Sequence, residues 1–221
     1  MAKSIAIDGP AGAGKSTIAR MVAEELKFIY VDTGAMYRAM ALYMLKEGVG
    51  ADESEKIVSS CQKADITIKH ENNEQVVYLN GENVNGLIRT EEVGNMTSAI
   101  SVNKAVREKL VELQQKLAES TDVVMDGRDI GTVVLPNANL KVYLTASTRV
   151  RAERRYKELI AKNVSCKLDE IEKDIIDRDY RDMHRELSPL KQADDAILLD
   201  SSDMTVLEVK EKIVELYKEK N

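Results

Sequence analysis

Apolar positions along the chain change period in a regular way. Short runs rich in β-branched residues, SIAIDG and FIYVD, alternate with longer stretches of helical spacing, from Lys15 to about Leu26 and over Ala35 to Lys46. Strand, helix, strand, helix in that order predicts a parallel sheet covered by helices. Three further runs, VVMD at 123–126, KVYL at 141–144 and AILLD at 196–200, read as buried strands and bring the expected count to five. After Met204, Val206, Val209, Ile213, Leu216 and Tyr217 recur at helical spacing, and Thr205 with Glu208 forms the pattern of a capping box.

Two segments break the alternation. Between 64 and 85, ADITIKH and EQVVYLN are followed by an Asn80-Gly81 turn, which predicts a small antiparallel unit inserted beside the main core. From Arg149 to Arg185 the chain is helical in pattern but highly charged, and it reads as a mobile helical flap.

At 221 residues, 43% apolar and 32% charged, with only 3 Pro, the chain is long enough for one sizeable ordered core with inserts. A formal net charge of −6 argues against a general nucleic-acid binder, which draws its affinity from a basic surface. Cys61 and Cys166 stand far apart and outside any CxxC pattern, so neither a disulfide framework nor a zinc site is expected. His70 and His184 lack metal-ligand spacing and read as surface residues. The first ten residues carry no signal-peptide pattern and no run approaches membrane-spanning length, so a cytoplasmic, membrane-free protein is the expectation.

The chemistry is concentrated in short motifs. GPAGAGKS, Gly9 to Ser16, matches GxxxxGK[ST] directly after a strand and at the start of a helix. Glycines at 9, 12 and 14 let backbone N–H groups wrap a phosphate, Lys15 adds charge at the β and γ phosphates, and the Ser16 hydroxyl is placed to ligate Mg²⁺. Gly9, Pro10, Ala11, Gly12, Ala13, Gly14, Lys15, Ser16 and Thr17 are thus the expected triphosphate cradle, with Ser16 as metal ligand. A GTPase switch is disfavoured, because no glycine has Asp three residues before it and Asn103-Lys104 is followed by Ala105-Val106 rather than x-Asp.

A kinase with a phosphorylated acceptor brings two polyanions together and needs several arginines. Arg38, Arg107, Arg128, Arg178, Arg181 and Arg185 are candidates. On an ideal helix, positions 178, 182 and 185 fall within roughly 60° of one another, so Arg178, Asp182 and Arg185 are expected on one face. Arg151, Arg154 and Arg155 would either close over the ATP phosphates or stand in solvent; Arg154 is assigned to the cofactor. DGRD follows the strand VVM, which puts Asp126, Arg128 and Asp129 at the carboxyl edge where open α/β sheets bind ligands. Asp126 would otherwise cap a turn with Gly127, and Asp8 reads either as a group behind the magnesium or as a satisfied buried acid.

Taken together, GPAGAGKST, VDTGAMYR, DGRDIGTVV and RDYRDMHR with the following SPL resemble the bacterial cytidylate kinases over the whole chain. The resemblance implies a three-layer α/β P-loop kinase fold with a five-stranded parallel sheet, a monophosphate-binding insert and a helical lid. The expected division is a core of 1–34, 86–148 and 186–221, a monophosphate-binding region of 35–85 or of 35 to about 100, and a lid of 149–185. It implies a monomer that transfers the γ-phosphoryl of ATP to CMP or dCMP with Mg²⁺. Lys15, Arg128 and Arg178 would be catalytic; Arg38, Arg128 and Arg178 would hold the acceptor phosphate or the transferring group. Thr33, Ser98, Arg107, Asp129 and Arg185 would surround the base, and Arg178 with Asp182 would approach the ribose. Cytosine offers an N4 donor beside an N3 acceptor, so Asp129 or Ser98 would accept from N4 while Arg107 or Arg185 donates to N3 and O2. Relatives that carry Ser at the Thr33 position, or GKG at Gly14-Lys15-Ser16, preserve the hydroxyl or the backbone function. A UMP or AMP kinase, or a nucleotide-dependent switch, is the alternative.

Overall fold

The computed structural model describes residues 2–71 and 74–220, so the outer bounds 1 and 221 and the insert's Asn72 and Asn73 lie outside the described residues. In chain order the elements are β1 (Ser4–Asp8), α1 (Lys15–Leu26), β2 (Ile29–Asp32), α2 (Thr33–Lys46), α3 (Ser54–Cys61), β3 (Ile66–Glu71), β4 (Glu74–Leu79), β5 (Glu82–Asn83) and α4 (Glu91–Ile100). They continue with α5 (Lys104–Ser120), β6 (Val123–Gly127), β7 (Leu140–Thr145), α6 (Thr148–Ala161), α7 (Leu168–His184), β8 (Ile197–Asp200) and α8 (Val206–Lys220). A single π-helical turn, Ile130–Val134, follows β6. The chain divides into two compact units: a first of Val31–Ser120, and a second that joins Ala2–Tyr30 to Thr121–Asn221.

The second unit is built on a five-stranded parallel sheet of order β2-β6-β1-β7-β8. Strands β1 and β6 pair with Ser4 opposite Val123 and Asp8 opposite Gly127, and β1 and β7 pair with Asp8 opposite Tyr143. This register brings Asp8 and the DGRD segment to the same carboxyl edge. Ile5, Ile7, Val124, Val142 and Leu144 are buried, as the continuous apolar runs of strands covered on both faces require. Strand β8 ends the sheet and alternates half-buried with exposed positions, as a strand with a solvent edge does. Helices α1 and α8 close one face through Ile18, Val22, Val209, Ile213 and Tyr217. The predicted capping box of α8 is formed in both directions, with Glu208 N–H donating to Thr205 Oγ1 at 3.3 Å and Thr205 N–H donating to Glu208 Oε2 at 2.7 Å. Helices α6 and α7 have a small core of their own, Ala152, Ile171 and Ile175 with Tyr156, Leu159 and Leu168, which accounts for the few apolar positions in that charged stretch.

The first unit holds the predicted antiparallel insert. Strands β3 and β4 pair from Ile66–Leu79 to Glu71–Glu74, and Asn80 and Gly81 take φ values of 50° and 83° at the turn into β5. Two successive positive φ values are what a tight hairpin turn needs and what Asn-Gly provides. This unit runs on to Ser120. Val93, Met96, Ile100, Val106 and Leu110 of α4 and α5 share one apolar cluster with Met36, Met40 and Met44 of α2, so these helices belong to it by packing.

Candidate active site

In the second unit, the P-loop takes the shape its glycines permit. Gly12 and Gly14 adopt φ values of 76° and 87°, and a Cβ on Gly9 would lie 1.9 Å from the Leu144 carbonyl oxygen, so no side chain fits there. The α1 N-terminus opens directly from this loop, with Gly14 as its cap residue, and its N–H groups and dipole favour an anion. Lys15 is buried and donates from Nζ to the Pro10 carbonyl at 2.8 Å. Its pKa is lowered to about 7, first by burial and then by the Arg128 charge, with Arg178 adding to them and Asp126 and Asp8 partly offsetting them. Three cations bearing on one another around a glycine loop form a site that an oligophosphate would neutralise.

Ser16 and Asp126 meet at the mouth of this loop. The Ser16 hydroxyl donates to Asp126 Oδ2 at 2.9 Å, and the Tyr30 hydroxyl donates to Asp126 Oδ1 at 2.8 Å. Asp126 is therefore held by two remote side chains and is more than a turn cap for Gly127. A hydroxyl and a carboxylate side by side are the oxygen donors that Mg²⁺ prefers, so the residues present fit that ion. The signal in the sequence was an acid closing an apolar strand; nothing local linked it to Ser16, 110 residues earlier.

Beyond Asp126, Arg128 donates from Nε to Asp182 Oδ2 at 2.8 Å, joining the DGRD segment to α7. Burial pushes the Asp182 carboxyl upward, but Arg128, Arg178 and Arg185 outweigh it and hold the pKa below the ordinary value. Asp129 and Arg185 are both largely buried and face each other at 3.9 Å. Arg185 lies one residue beyond the end of α7, in extended conformation, with Nε donating to the Ser188 carbonyl at 2.6 Å. The helical-face expectation thus applies to Arg178 and Asp182 alone; Arg185 reaches Asp129 from the turn that follows.

The arginines of α6 have separate fates. Arg151 is buried and donates to the carbonyls of Ala146 and Ala11, each at 2.9 Å, and to Asp179 Oδ2 at 2.6 Å. It fastens the P-loop to α7 rather than standing in solvent. Arg154 donates to the Ser201 carbonyl at 2.7 Å and its hydroxyl at 3.3 Å, while exposed Arg155 pairs with Glu158.

The first unit contains the remaining candidates. Asp32 caps α2 by accepting from Ala35 N–H at 2.9 Å and pairs with Arg38 at 3.0 Å; the neighbouring Thr33 is buried. Gln75 of β4 brackets the Asp32 backbone, accepting from its N–H at 2.7 Å and donating to its carbonyl at 3.3 Å. Arg107 is buried, donates to the Ser101 carbonyl at 3.3 Å and lies over the Tyr37 ring at 5.7 Å. Ser98 is exposed on α4 and donates to the Gly94 carbonyl at 3.3 Å. Asp32 and Gln75 are not among the residues expected from the sequence; the Asp before a helix start was the available sign for Asp32, and none marked Gln75.

A family model described as cytidylate kinase matches residues 5–219. A cytidylate kinase of Ligilactobacillus salivarius is 47% identical over 217 residues, covering 98% of this chain and 97% of that protein. One of Streptococcus pneumoniae is 50% identical over 210 residues, covering 95% and 94%. Among solved structures, an uncharacterized protein from Eubacterium ventriosum superposes with a TM-score of 0.56 at 11% identity, with 99% of each chain covered. A shikimate kinase from Bacteroides thetaiotaomicron does so with 0.50 at 14% identity, covering 98% of each, and these two likenesses concern the fold. The chain belongs to the cytidylate kinase family.

Proposed function

We propose that this protein phosphorylates CMP and dCMP to CDP and dCDP, with ATP as donor and Mg²⁺ as the assisting ion. The observation that carries the reading is membership of the cytidylate kinase family over nearly the whole chain. The P-loop geometry supports the donor half, since Lys15, the glycine backbone and the α1 N-terminus supply what the triphosphate requires.

Bound Mg²⁺ would be held by Ser16 Oγ and the Asp126 carboxylate and would neutralise charge on the transferring phosphoryl. The protein's own groups account for the rest. A phosphate oxygen of the acceptor attacks the γ-phosphorus in line; the new O–P bond forms as the bond to the β–γ bridging oxygen breaks, and ADP leaves with that electron pair. Lys15, Arg128 and Arg178 stabilise the charge spread over the equatorial oxygens. No general base is needed, because the acceptor phosphate is already largely ionised at neutral pH.

In the second unit, Arg128 and Arg178 serve the phosphates, Asp182 with Arg178 the ribose, and Asp129 with Arg185 the cytosine edge. In the first unit, Arg38 serves the acceptor phosphate, and Thr33, Ser98 and Arg107 the base. Arg154 serves the donor nucleotide. We place the protein in the cytoplasm as a monomer acting on small molecules rather than on nucleic acid, a reading its net charge of −6 supports. Among the described residues no helix is long and apolar enough to cross a membrane.

ADP release from ATP measured with CMP, dCMP, UMP, AMP and GMP in turn tests the proposal. Strong stimulation by CMP and dCMP alone is expected. Preference for UMP or AMP would overturn the acceptor assignment, and no stimulation by any of them would point to a switch.

A further inference from the structure

The buried Asp8 carboxylate, at the last position of β1, accepts the Ile130 N–H on Oδ1 at 2.8 Å and the Gly131 N–H on Oδ2 at 2.7 Å. These are the two residues that follow Asp129. Both acceptor oxygens are thus used on the turn that carries the DGRD segment into the π-helical turn Ile130–Val134. The fit is close on the other side as well: a Cβ on Gly131 would sit 3.3 Å from Asp8 Oδ2 and 3.1 Å from Lys141 Cδ, so a larger residue would push these side chains aside by a few tenths of an ångström.

The arrangement is costly enough to need a reason. Desolvation by burial, with Asp129 adding repulsion, raises the Asp8 pKa to about 6 despite the two backbone donors and Lys15. An apolar residue would serve the sheet interior at less cost. What the carboxylate provides is a rigid two-point hold on the backbone beside Asp129. Asp129, with 9% of its side chain exposed, stands immediately before the two residues so held, where the backbone leaves β6 at φ −145° and ψ 26°.

We infer that Asp8 is a positioning residue for acceptor-base selection: its two hydrogen bonds to Ile130 and Gly131 set the Asp129 carboxylate, facing Arg185, for the cytosine edge. The inference rests on the reading that Asp129 recognises cytosine. Asp8 sits directly before the P-loop, so one side chain joins the start of the donor cradle to the segment that chooses the acceptor. It touches neither nucleotide and acts through the backbone.

Steady-state kinetics with CMP and UMP on Asp8→Asn, Gly131→Ala and Asp129→Ala test this. Asp8→Asn keeps the size but turns an N–H₂ toward one backbone donor. Gly131→Ala crowds the same contact while every charge stays in place. Both are expected to raise the CMP KM and lower the CMP-to-UMP preference in kcat/KM by roughly tenfold, the scale of losing one charge-assisted hydrogen bond, with the ATP KM changed far less. A purely structural role would instead lower activity on both acceptors equally, and that result overturns the inference. If Asp8→Asn does not fold, as judged by its melting transition, Gly131→Ala decides. If Asp129→Ala keeps its cytosine preference, the underlying reading of Asp129 fails; if it loses that preference while Asp8→Asn and Gly131→Ala keep theirs, the positioning role alone fails.

Discussion

Ser16 and Asp126 stand 110 positions apart in sequence and share a hydrogen bond of 2.9 Å, so the hydroxyl that opens α1 and the acid that closes β6 form one oxygen pair. The Tyr30 hydroxyl fixes the other Asp126 oxygen at 2.8 Å. Replacing the acid by its neutral isostere should weaken the metal site without disturbing the apolar strand. Asp126→Asn is expected to raise the Mg²⁺ concentration for half-maximal velocity by about tenfold, the order of one lost charged ligand contact. Tyr30→Phe should raise it less. A magnesium titration of initial velocity with equal midpoints for wild type and Asp126→Asn would remove Asp126 from the metal site.

Lys15 makes a second prediction, through its proton. Its folded pKa, about 7, lies below the usual 10.5, chiefly from burial and then from Arg128. Such a group opposes folding most strongly below pH 7, where both states carry the proton, and this opposition fades as pH rises toward 10.5. A bound triphosphate supplies the missing counter-charge and raises the pKa again. At pH 8, nucleotide binding should therefore take up a substantial fraction of a proton, and at pH 5.5 almost none through this residue. Calorimetry in buffers of different ionisation enthalpy reads the uptake directly. Lys15→Arg, which stays charged throughout, should abolish it; equal uptake in the variant would assign the proton elsewhere.

Arg151 and Asp179 form a buried pair at 2.6 Å, with 4% and 11% of their side chains exposed. Removing one member leaves the other charge without its partner in a dry place, which costs about 3 kcal/mol. Asp179→Ala should lower the unfolding free energy by that order in a urea titration. The paired replacement Arg151→Met with Asp179→Leu should recover part of the loss, because no charge then remains buried. Equal destabilisation in single and double variants would argue that α7 is held by other contacts.

Asp32 is both the cap of α2 and the partner of Arg38. Asp32→Ala should cost about 1 kcal/mol of stability, the usual worth of an N-cap, and should raise the CMP KM as Arg38 loses its orientation. Asp32→Asn keeps a capping oxygen but loses the charge, so it should spare stability and still raise KM. Thermal denaturation beside steady-state kinetics separates the two roles.

The fold was legible because its signals are contiguous. Five apolar runs, the GxxxxGK[ST] loop, the Asn80-Gly81 turn and the Thr205–Glu208 box each lie within a few residues, and each forms as local rules require. Relationships across the chain were less visible. Nothing near Ser16 names Asp126, and nothing near Asp8 names Ile130 and Gly131; those pairs are made by the order β6-β1-β7, which puts their strands side by side. The extent of the first unit was likewise hidden, since α4 and α5 are ordinary amphipathic helices until Ile100 and Leu110 are seen packed with Met40 and Met44. Arg185 escaped the helical wheel because α7 stops at His184 and the chain turns at Ser188, whose φ of 49° no periodicity announces.

Cytosine, among the common bases, directs the phosphoryl to its acceptor. A competition reads this preference in one vessel: equimolar CMP, UMP, AMP and GMP with limiting ATP and Mg²⁺, followed by chromatographic separation of the diphosphates. CDP should exceed each of UDP and GDP by more than about tenfold, since a pocket built to hydrogen-bond one base edge leaves buried groups unpaired with another; ADP formed from AMP is counted from radiolabelled AMP. Predominant UDP or labelled ADP, or ATP consumption that yields free phosphate and no diphosphate product, would rule out cytosine as the selected base.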